Sequence, residues 1–484
     1  MIEGLIYGLQ TVLAIQNLIW ILIGCSAGTL IGMMPGLGPI TAIALMIPVS
    51  YNLDPAGGLI MMAGVYYGAV FGGSTSAILI NAPGVASTVA TSFDGYKMTL
   101  NGQAGKALAV AAYSSFAGGV LSAIVLVFTA STIASFALYI QSPEYAALLL
   151  LAMSSIVVFA PPLKRIKSMI TLLLGLMLGT VGTDQLAGVQ RFTFGQLDLV
   201  DGIHFIVIVM ATFALAEVFY LILKGKSSTP QIVGLDQLKI NKKEIPILSR
   251  VISRSSLLGF FIGILPGAGA TLASLFAYDM EKRIGNKSLE SGVAAPESAN
   301  NAACTGSFVP LLSLGIPGSG TTAVLLGVML AYGLQPGPSL ITDQPQLFWG
   351  VIASMFIGNC ILLILNLPLI PFLARLINIP YPILLPIVIS LSFIGVFLTT
   401  FSVFDLGLLI GFAFFATILR VQDYPLAPLL LGFILSSMFE DNVRRTLLLS
   451  MGEWSYLSDR PVTIFLLMIC LLIWSTPLWY RTKH

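Results

Sequence analysis

The chain has 484 residues, of which 57% are hydrophobic and only 9% charged, with a net charge of +2, whereas a soluble domain carries about 25% charged residues. Weak net charge and the lack of basic clusters interleaved with aromatics exclude a nucleic-acid partner. Two histidines, His204 and His484, and four scattered cysteines (Cys25, Cys304, Cys360, Cys470) without C-x-x-C spacing leave no basis for a His metal centre, a Ser-His-Asp system, a zinc site or a disulfide framework.

Along the chain, "MIEGLIYGLQ" lacks the basic start of a cleavable signal, so the first helix is expected to be retained. The runs Leu108–Leu126, Ala146–Ala160, Ile203–Leu223, Leu347–Ile370 and Ile464–Trp479 have the length and charge poverty of membrane helices. They predict an all-α polytopic membrane protein with roughly 10–12 spans at about 20 residues each. The first apolar stretch is interrupted by "PGLGP" (Pro35 to Pro39), read as a close helix–helix approach with ligand contact as the alternative.

The next interruption is sharper. In "SAILINAPGVASTVAT", Ser76 to Thr91, a membrane-grade run stops at Asn81, Pro83 and Gly84 and restarts with Ser87 and Thr88. Proline removes a helix hydrogen bond and glycine favours a turn. Such a break is tolerated only inside protein or beside water. The pieces Gly73 to Ile80 and Val85 to Phe93 are each too short to span, which predicts a re-entrant helical hairpin. Its second arm would point a helix N-terminus, with free N–H groups, into a cavity. Ser74, Ser76, Asn81, Pro83, Gly84, Ser87 and Thr88 are therefore candidate substrate-binding residues. Farther on, Lys164, Arg165 and Lys167 read as a topogenic loop.

Residues 224–254 form a basic linker with Lys224, Lys226, Lys239, Lys242, Lys243, Arg250 and Arg254 against Asp236 and Glu244, expected on the cytoplasmic side. It separates a first membrane repeat, 1–223, from a second, 255–484. "GILPGAGATLASLF" from Gly263 repeats "GMMPGLGPITAIAL" from Gly32, and Pro317-Gly318 and Thr321-Thr322 repeat Pro83-Gly84 and Ser87-Thr88. "MFIGN" (Met355 to Asn359) repeats "SFAGG" (Ser115 to Gly119), and "LLGFILSSMFED" (Leu430 to Asp441) repeats "LLGLMLGTVGTD" (Leu173 to Asp184). Four blocks in one order indicate duplication. Equivalent loops have opposite basic content: "EKRIGNK" (Glu281 to Lys287) answers the Lys- and Arg-free "YNLDPAG" (Tyr51 to Gly57), while Lys97 and Lys106 answer the Lys- and Arg-free "LQPGPSLITDQPQ" (Leu334 to Gln346). That reversal predicts inverted repeats.

The second half repeats the helix break in "LLSLGIPGSGTTAV", making Gly315, Pro317, Gly318, Ser319, Thr321 and Thr322 the matching substrate candidates. Two tips facing across a pseudo-twofold axis are the arrangement of secondary transporters, the alternative being ordinary Gly/Pro kinks. In "AAPESANNAACTGS", Glu297, Asn300 and Asn301 share one helical face. They are candidate Na⁺ ligands, with a polar helix cap as the alternative. Arg444 and Arg445, beside Glu440 and Asp441, read as a local ion-pair cluster.

"GMMPGLGP", "YYGAVFGGSTSAILINAPG", "APESANNAA" and "LGIPGSGTTAVLLG" resemble the signature blocks of the TctA family, the large membrane subunit of tripartite tricarboxylate transporters, over nearly the whole chain. The resemblance implies a multi-pass protein of the bacterial inner membrane working with a small membrane subunit and a periplasmic solute-binding protein. It further implies uptake of citrate-like or related carboxylates driven by a cation gradient, Na⁺ or H⁺, with no cofactor, no enzymatic activity and no ATP-binding subunit. No G-x-x-x-x-G-K-[ST] occurs in the chain. No basic residue lies at either tip, so the anion is expected to rest on helix N-termini, hydroxyls and co-bound cations. The competing functional classes are a passive channel or stand-alone carrier, and a membrane scaffold or sensor.

Overall fold

A computed structural model describes residues 2–34, 36–137, 139–184, 186–224, 238–267, 269–285, 288–337, 339–371, 381–453 and 455–481. Pro35 and Ala268 of the two proline-glycine motifs, residues 225–237 of the linker with Lys226 and Asp236, Asn286, Lys287, Pro338 and His484 lie outside the described residues. The protein is all-α; strand is confined, among the described residues, to a short antiparallel pair, Gly182–Thr183 with Gln190–Arg191. Eight helices among the described residues are long and apolar enough to cross a membrane, and a pair bent by 117°, Ser142–Val158 with Pro162–Leu178, makes up to nine. Beside these, where roughly 10–12 spans are expected from length, the described residues build shorter helices, including Gly38–Ser50, Val89–Leu100, Gly269–Arg283 and Gly320–Ala331.

The central element is the helix Pro55–Ile80, 26 residues or about 39 Å long. Asp54 caps it by accepting from Gly57 N at 3.0 Å, and Pro55 occupies the first position, where its missing N–H costs nothing. Glycines allow a second helix, Ile15–Gly32, to cross it at backbone contact. Gly24, Gly28 and Gly32 face the carbonyls of Met61, Val65 and Ala69, and any side chain there would collide with them. The second half repeats these contacts: Gly259 and Gly263 of Ile245–Ile264 face the Ala299 and Ala303 carbonyls. These lie on Leu289–Gly306, which meets Phe308–Leu314 at Ser307.

Both long elements end in a left-handed residue, Asn81 (φ 51°) and Gly315 (φ 66°). After Asn81 the chain doubles back, bringing Gly84 N to Gly73 O at 3.4 Å. Val89–Leu100 then continues beside the last turns of Pro55–Ile80, where Thr99 Oγ1 donates to Ile78 O at 2.8 Å. Gly73–Ile80, expected as a separate short arm, is thus the end of a full-length helix. Gly72 packs against the Thr29 backbone and Gly73 against Val85, with no room for a side chain at either.

The end of Pro55–Ile80 lies beside the start of Leu289–Gly306, with Gly95 between Ile78 and Val293. Pro55–Ile80 begins where Tyr332 lies 6.1 Å from Tyr51 between ring centroids and its hydroxyl donates to Ser50 O. It ends near Asp94, which pairs with Lys282 at 2.6 Å and Lys97 at 3.2 Å. Leu289–Gly306 begins at that charged end, where Lys106 bridges Glu290 (2.6 Å) and Glu244 (2.8 Å). Reciprocal contacts join the halves elsewhere: Gly175 faces the Leu429 carbonyl, Gly432 faces the Leu172 carbonyl, and Gly119 packs on the side chain of Asn359.

Candidate functional site

The two chain breaks open on one cavity of about 740 Å³. Ser87 lines it from the turn Ala86–Thr88 that leads into Val89–Leu100; Ser319, Gly320 and Thr321 line it from the start of Gly320–Ala331. The proline-glycine motifs, read from sequence mainly as packing features, also reach it. Pro39 and Ile40 begin Gly38–Ser50, and Gly269, Ala270 and Thr271 begin Gly269–Arg283. Arg165 and Ala427, at the starts of Arg165–Leu178 and Ala427–Leu449, complete the set. Tyr66 and Cys304 lie in the interior wall, and the exposed Phe159, Pro161, Pro162 and Phe276 form the rim.

Helix N-termini therefore converge on this space from several directions. Each brings unpaired N–H groups and the positive end of a backbone dipole. At Gly320–Ala331, Ser319 accepts from Thr322 N at 3.3 Å and Ser319 N donates to Thr322 Oγ1 at 2.8 Å, a reciprocal cap that leaves the N–H groups of Gly320 and Thr321 available. Ser87 and Thr321 are buried, and their hydroxyls have no hydrogen-bond partner among the described residues. No aspartate or glutamate lines the cavity among the described residues, and its one charged lining residue is Arg165. An environment of N–H groups, hydroxyls and one guanidinium suits an anion.

Of the predicted substrate residues, Ser87, Ser319 and Thr321 meet at the cavity. The rest shape the breaks or face elsewhere. Ser76 and Thr88 donate to Gly73 O at 3.2 Å each, and Thr322 is spent in the cap. Asn81 and Gly315 supply left-handed turns. Gly318 O accepts from Gly267 N at 2.9 Å, linking the second break to the second proline-glycine motif. Gly84 packs against Gly32 and Gly73. Pro83 is half-buried beside it, and neither Pro83 nor Pro317 belongs to the cavity lining.

Ser74 belongs to a second polar site. Glu297, fully buried, accepts from Ser74 at 2.6 Å, Ser115 at 3.0 Å and Thr91. The three hydroxyls come from Pro55–Ile80, Ala104–Ala137 and Val89–Leu100, so one carboxylate ties the first half to the second. Asn301 donates to Glu297 O at 3.0 Å. Asn300 is fully buried with both amide atoms lacking a partner among the described residues, an arrangement costly enough to call for a ligand or water. Burial excludes the reading of this segment as a cap in headgroup water. Carboxylate, hydroxyl and amide oxygens are hard donors, the chemistry that hard cations favour.

Two features were not singled out from sequence. Arg165 was grouped with its basic neighbours as topogenic; only the 117° bend after Val158 carries it to the cavity. The hydroxyl partners of Glu297 lie some two hundred residues away in the chain, beyond any spacing rule. Of the expected cluster, Arg444 joins Glu440 at 2.6 Å, and it also recruits Asp184 at 2.8 Å and, through Glu440, Arg191 at 2.8 Å.

A family model described as "Tripartite tricarboxylate transporter TctA family" matches residues 18–431. The chain is 39% identical over 487 residues to an uncharacterized 52.8 kDa protein in the TAR-I ttuC' 3' region of Agrobacterium vitis, covering 99% of this chain and 97% of that one. It is 41% identical over 229 residues to an uncharacterized protein in the TAR-II ttuC' 3' region of the same organism, covering 45% of this chain and 94% of the relative. No solved structure matches the chain.

Proposed function

From its membership of the tripartite tricarboxylate transporter TctA family, a family of multi-pass transporter subunits rather than enzymes, we propose that this chain imports carboxylates of the citrate type as a cation-coupled secondary transporter. The observation that carries this reading is the convergence of both chain breaks, with their helix N-termini and the free hydroxyls of Ser87 and Thr321, on a single acid-free cavity. A passive pore has no need of two matched breaks, and a scaffold or sensor has no need of an anion site.

The wider assignment follows the same reading. The segments 1–223 and 255–484 are two inverted repeats around the linker 224–254, supported by the recurring glycine contacts and by the end of Pro55–Ile80 lying beside the start of Leu289–Gly306. The end rich in Lys97, Lys106, Lys282 and Arg254 is cytoplasmic in a bacterial inner membrane. The opposite end receives the periplasmic solute-binding protein, and a small membrane subunit completes the complex. The coupling cation, Na⁺ or H⁺, is assigned to Glu297 with Asn300, whose oxygens would hold it and whose carboxylate would balance its charge. Asn301, committed to a backbone carbonyl through its amide nitrogen, can add its oxygen.

The test is ion-driven uptake of radiolabelled citrate into proteoliposomes containing both membrane subunits and supplied with binding protein. Ser87→Asp and Thr321→Asp should each abolish uptake, because a fixed carboxylate occupies the anion's place. Ser87→Ala and Thr321→Ala should each weaken it by about 1 kcal/mol, one neutral hydrogen bond. Full uptake by the double aspartate variant would remove the transported anion from this cavity.

A further inference from the structure

We propose that Arg165 is the charge-selecting residue of the transport cavity: its guanidinium takes one carboxylate of a polyanionic substrate while the helix N-termini at Ser87 and Thr321 take another. The proposal rests on the anion-site reading above.

Three observations single out Arg165. Its neighbours on the same short segment are occupied: Lys164 pairs with Asp423 at 2.6 Å, and Lys167 donates to Gln422 O at 2.6 Å while lying 5.0 Å from the Tyr424 ring centroid. Arg165 faces the cavity instead and, among the described residues, forms no ion pair; its Nε donates to Ala160 O at 3.4 Å. A guanidinium carries five donors in a planar fork, so the terminal edge that grips a carboxylate bidentately is left free.

Its place in the helix is also unfavourable for a cation. Arg165 is the first residue of Arg165–Leu178, so its charge sits at the positive end of that dipole. Among the described residues, no acid in the cavity wall offsets it. A half-buried cation in a positive field with no counter-charge is stabilised when an anion enters.

The selectivity follows from charge. Helix N-termini and hydroxyls hold any single carboxylate through partial charges. A full positive charge in a partly desolvated wall acts on the second and third carboxylates and leaves a monoanion, already seated at the tips, little affected. Arg165 thereby separates poly- from monocarboxylates, independently of any binding protein.

The test is equilibrium binding of citrate, succinate and acetate to the purified full-length chain with its small subunit in lipid nanodiscs, without binding protein. Arg165→Gln should weaken citrate binding at least tenfold and acetate binding less than twofold, and Arg165→Lys should fall between. In Arg165→Cys, treatment with aminoethyl methanethiosulfonate should restore the citrate preference, while a neutral reagent of similar size should not, with treated wild type correcting for the native cysteines. Equal loss for all three acids, or equal rescue by the neutral adduct, would make Arg165 a structural brace of the bend and overturn the proposal. Citrate binding that survives Ser87→Asp with Thr321→Asp but falls in Arg165→Gln would overturn the two-tip site while keeping Arg165 as an anion contact. Absence of any carboxylate binding by the wild-type complex would overturn both.

Discussion

Adding one methyl group to each of two equivalent turns should have unequal effects. At Gly84, a Cβ would overlap the Gly32 carbonyl oxygen outright and stand 2.9 Å from Gly73 Cα. Both obstacles are backbone, on helices that are themselves locked at glycine contacts, so Gly84→Ala has to push the turn away from Ile15–Gly32. At Gly318, the nearest atoms would be Gly263 O at 3.2 Å and Ser307 Cβ at 3.3 Å, close to the roughly 3.3–3.6 Å of an ordinary C···O contact. A shift of a few tenths of an ångström absorbs that. Overpacking costs about 1–3 kcal/mol, so we place Gly84→Ala at about 3 kcal/mol and Gly318→Ala at about 1 kcal/mol. The difference of about 2 kcal/mol is roughly thirtyfold in the unfolding constant. The assay is SDS titration of the purified protein in mixed micelles, followed by tryptophan fluorescence and far-UV circular dichroism. Citrate uptake should follow the same order, since Ser87 lies three residues beyond Gly84. Equal midpoints for the two variants, or a larger loss in Gly318→Ala, would refute the contact argument.

The remaining predictions concern topology and coupling. Single cysteines at Asn101 and Gly285, next to the charged end, should be protected from an impermeant thiol reagent added to the periplasmic side, while cysteines at Asn52 and Ser339 should label; Asn101 and Ser339 labelling from one side would sink the inverted-repeat proposal. Asn300→Ala should raise the cation concentration for half-maximal uptake by about tenfold, since both of its amide atoms are unspent, one ligand being worth about 1.4 kcal/mol on that scale. Asn301→Ala, which loses a local bond to Glu297 O, should change it less, and the reverse order would dissociate Asn300 from the ion site. Glu297→Gln keeps the shape but removes the charge that balances a bound cation, so uptake should lose its cation dependence with membrane insertion intact; unchanged dependence would return Glu297 to a purely structural tie.

Apolar runs poor in charge dictate membrane helices wherever the chain is placed, because neither water nor the unfolded chain offers them a home. The breaks were equally legible. Pro83-Gly84 and Pro317-Gly318 interrupt hydrogen bonding whatever the fold, and their matched order with the blocks from Gly32 and Gly263 is the ground for proposing a duplication. Residue chemistry also gives the reason to propose an anion site at Ser87 and Thr321, since a restarted helix must leave N–H groups open.

What local pattern does not contain is which distant pieces share a space. Nothing in Gly73–Ile80 says that it continues the helix begun at Pro55; Gly64, Gly68 and Gly72, before it, pack on the backbone of Ile15–Gly32, a contact that no local pattern contains. Burial of Glu297 among hydroxyls from three helices, and of Asn300 without a partner among the described residues, depends on how those helices cross. Arg165 looked like the basic loop residues beside it, because charge in a sequence carries no direction; the bend between Ser142–Val158 and Arg165–Leu178 turns Lys164 and Lys167 toward Asp423 and Tyr424 and leaves Arg165 facing the cavity.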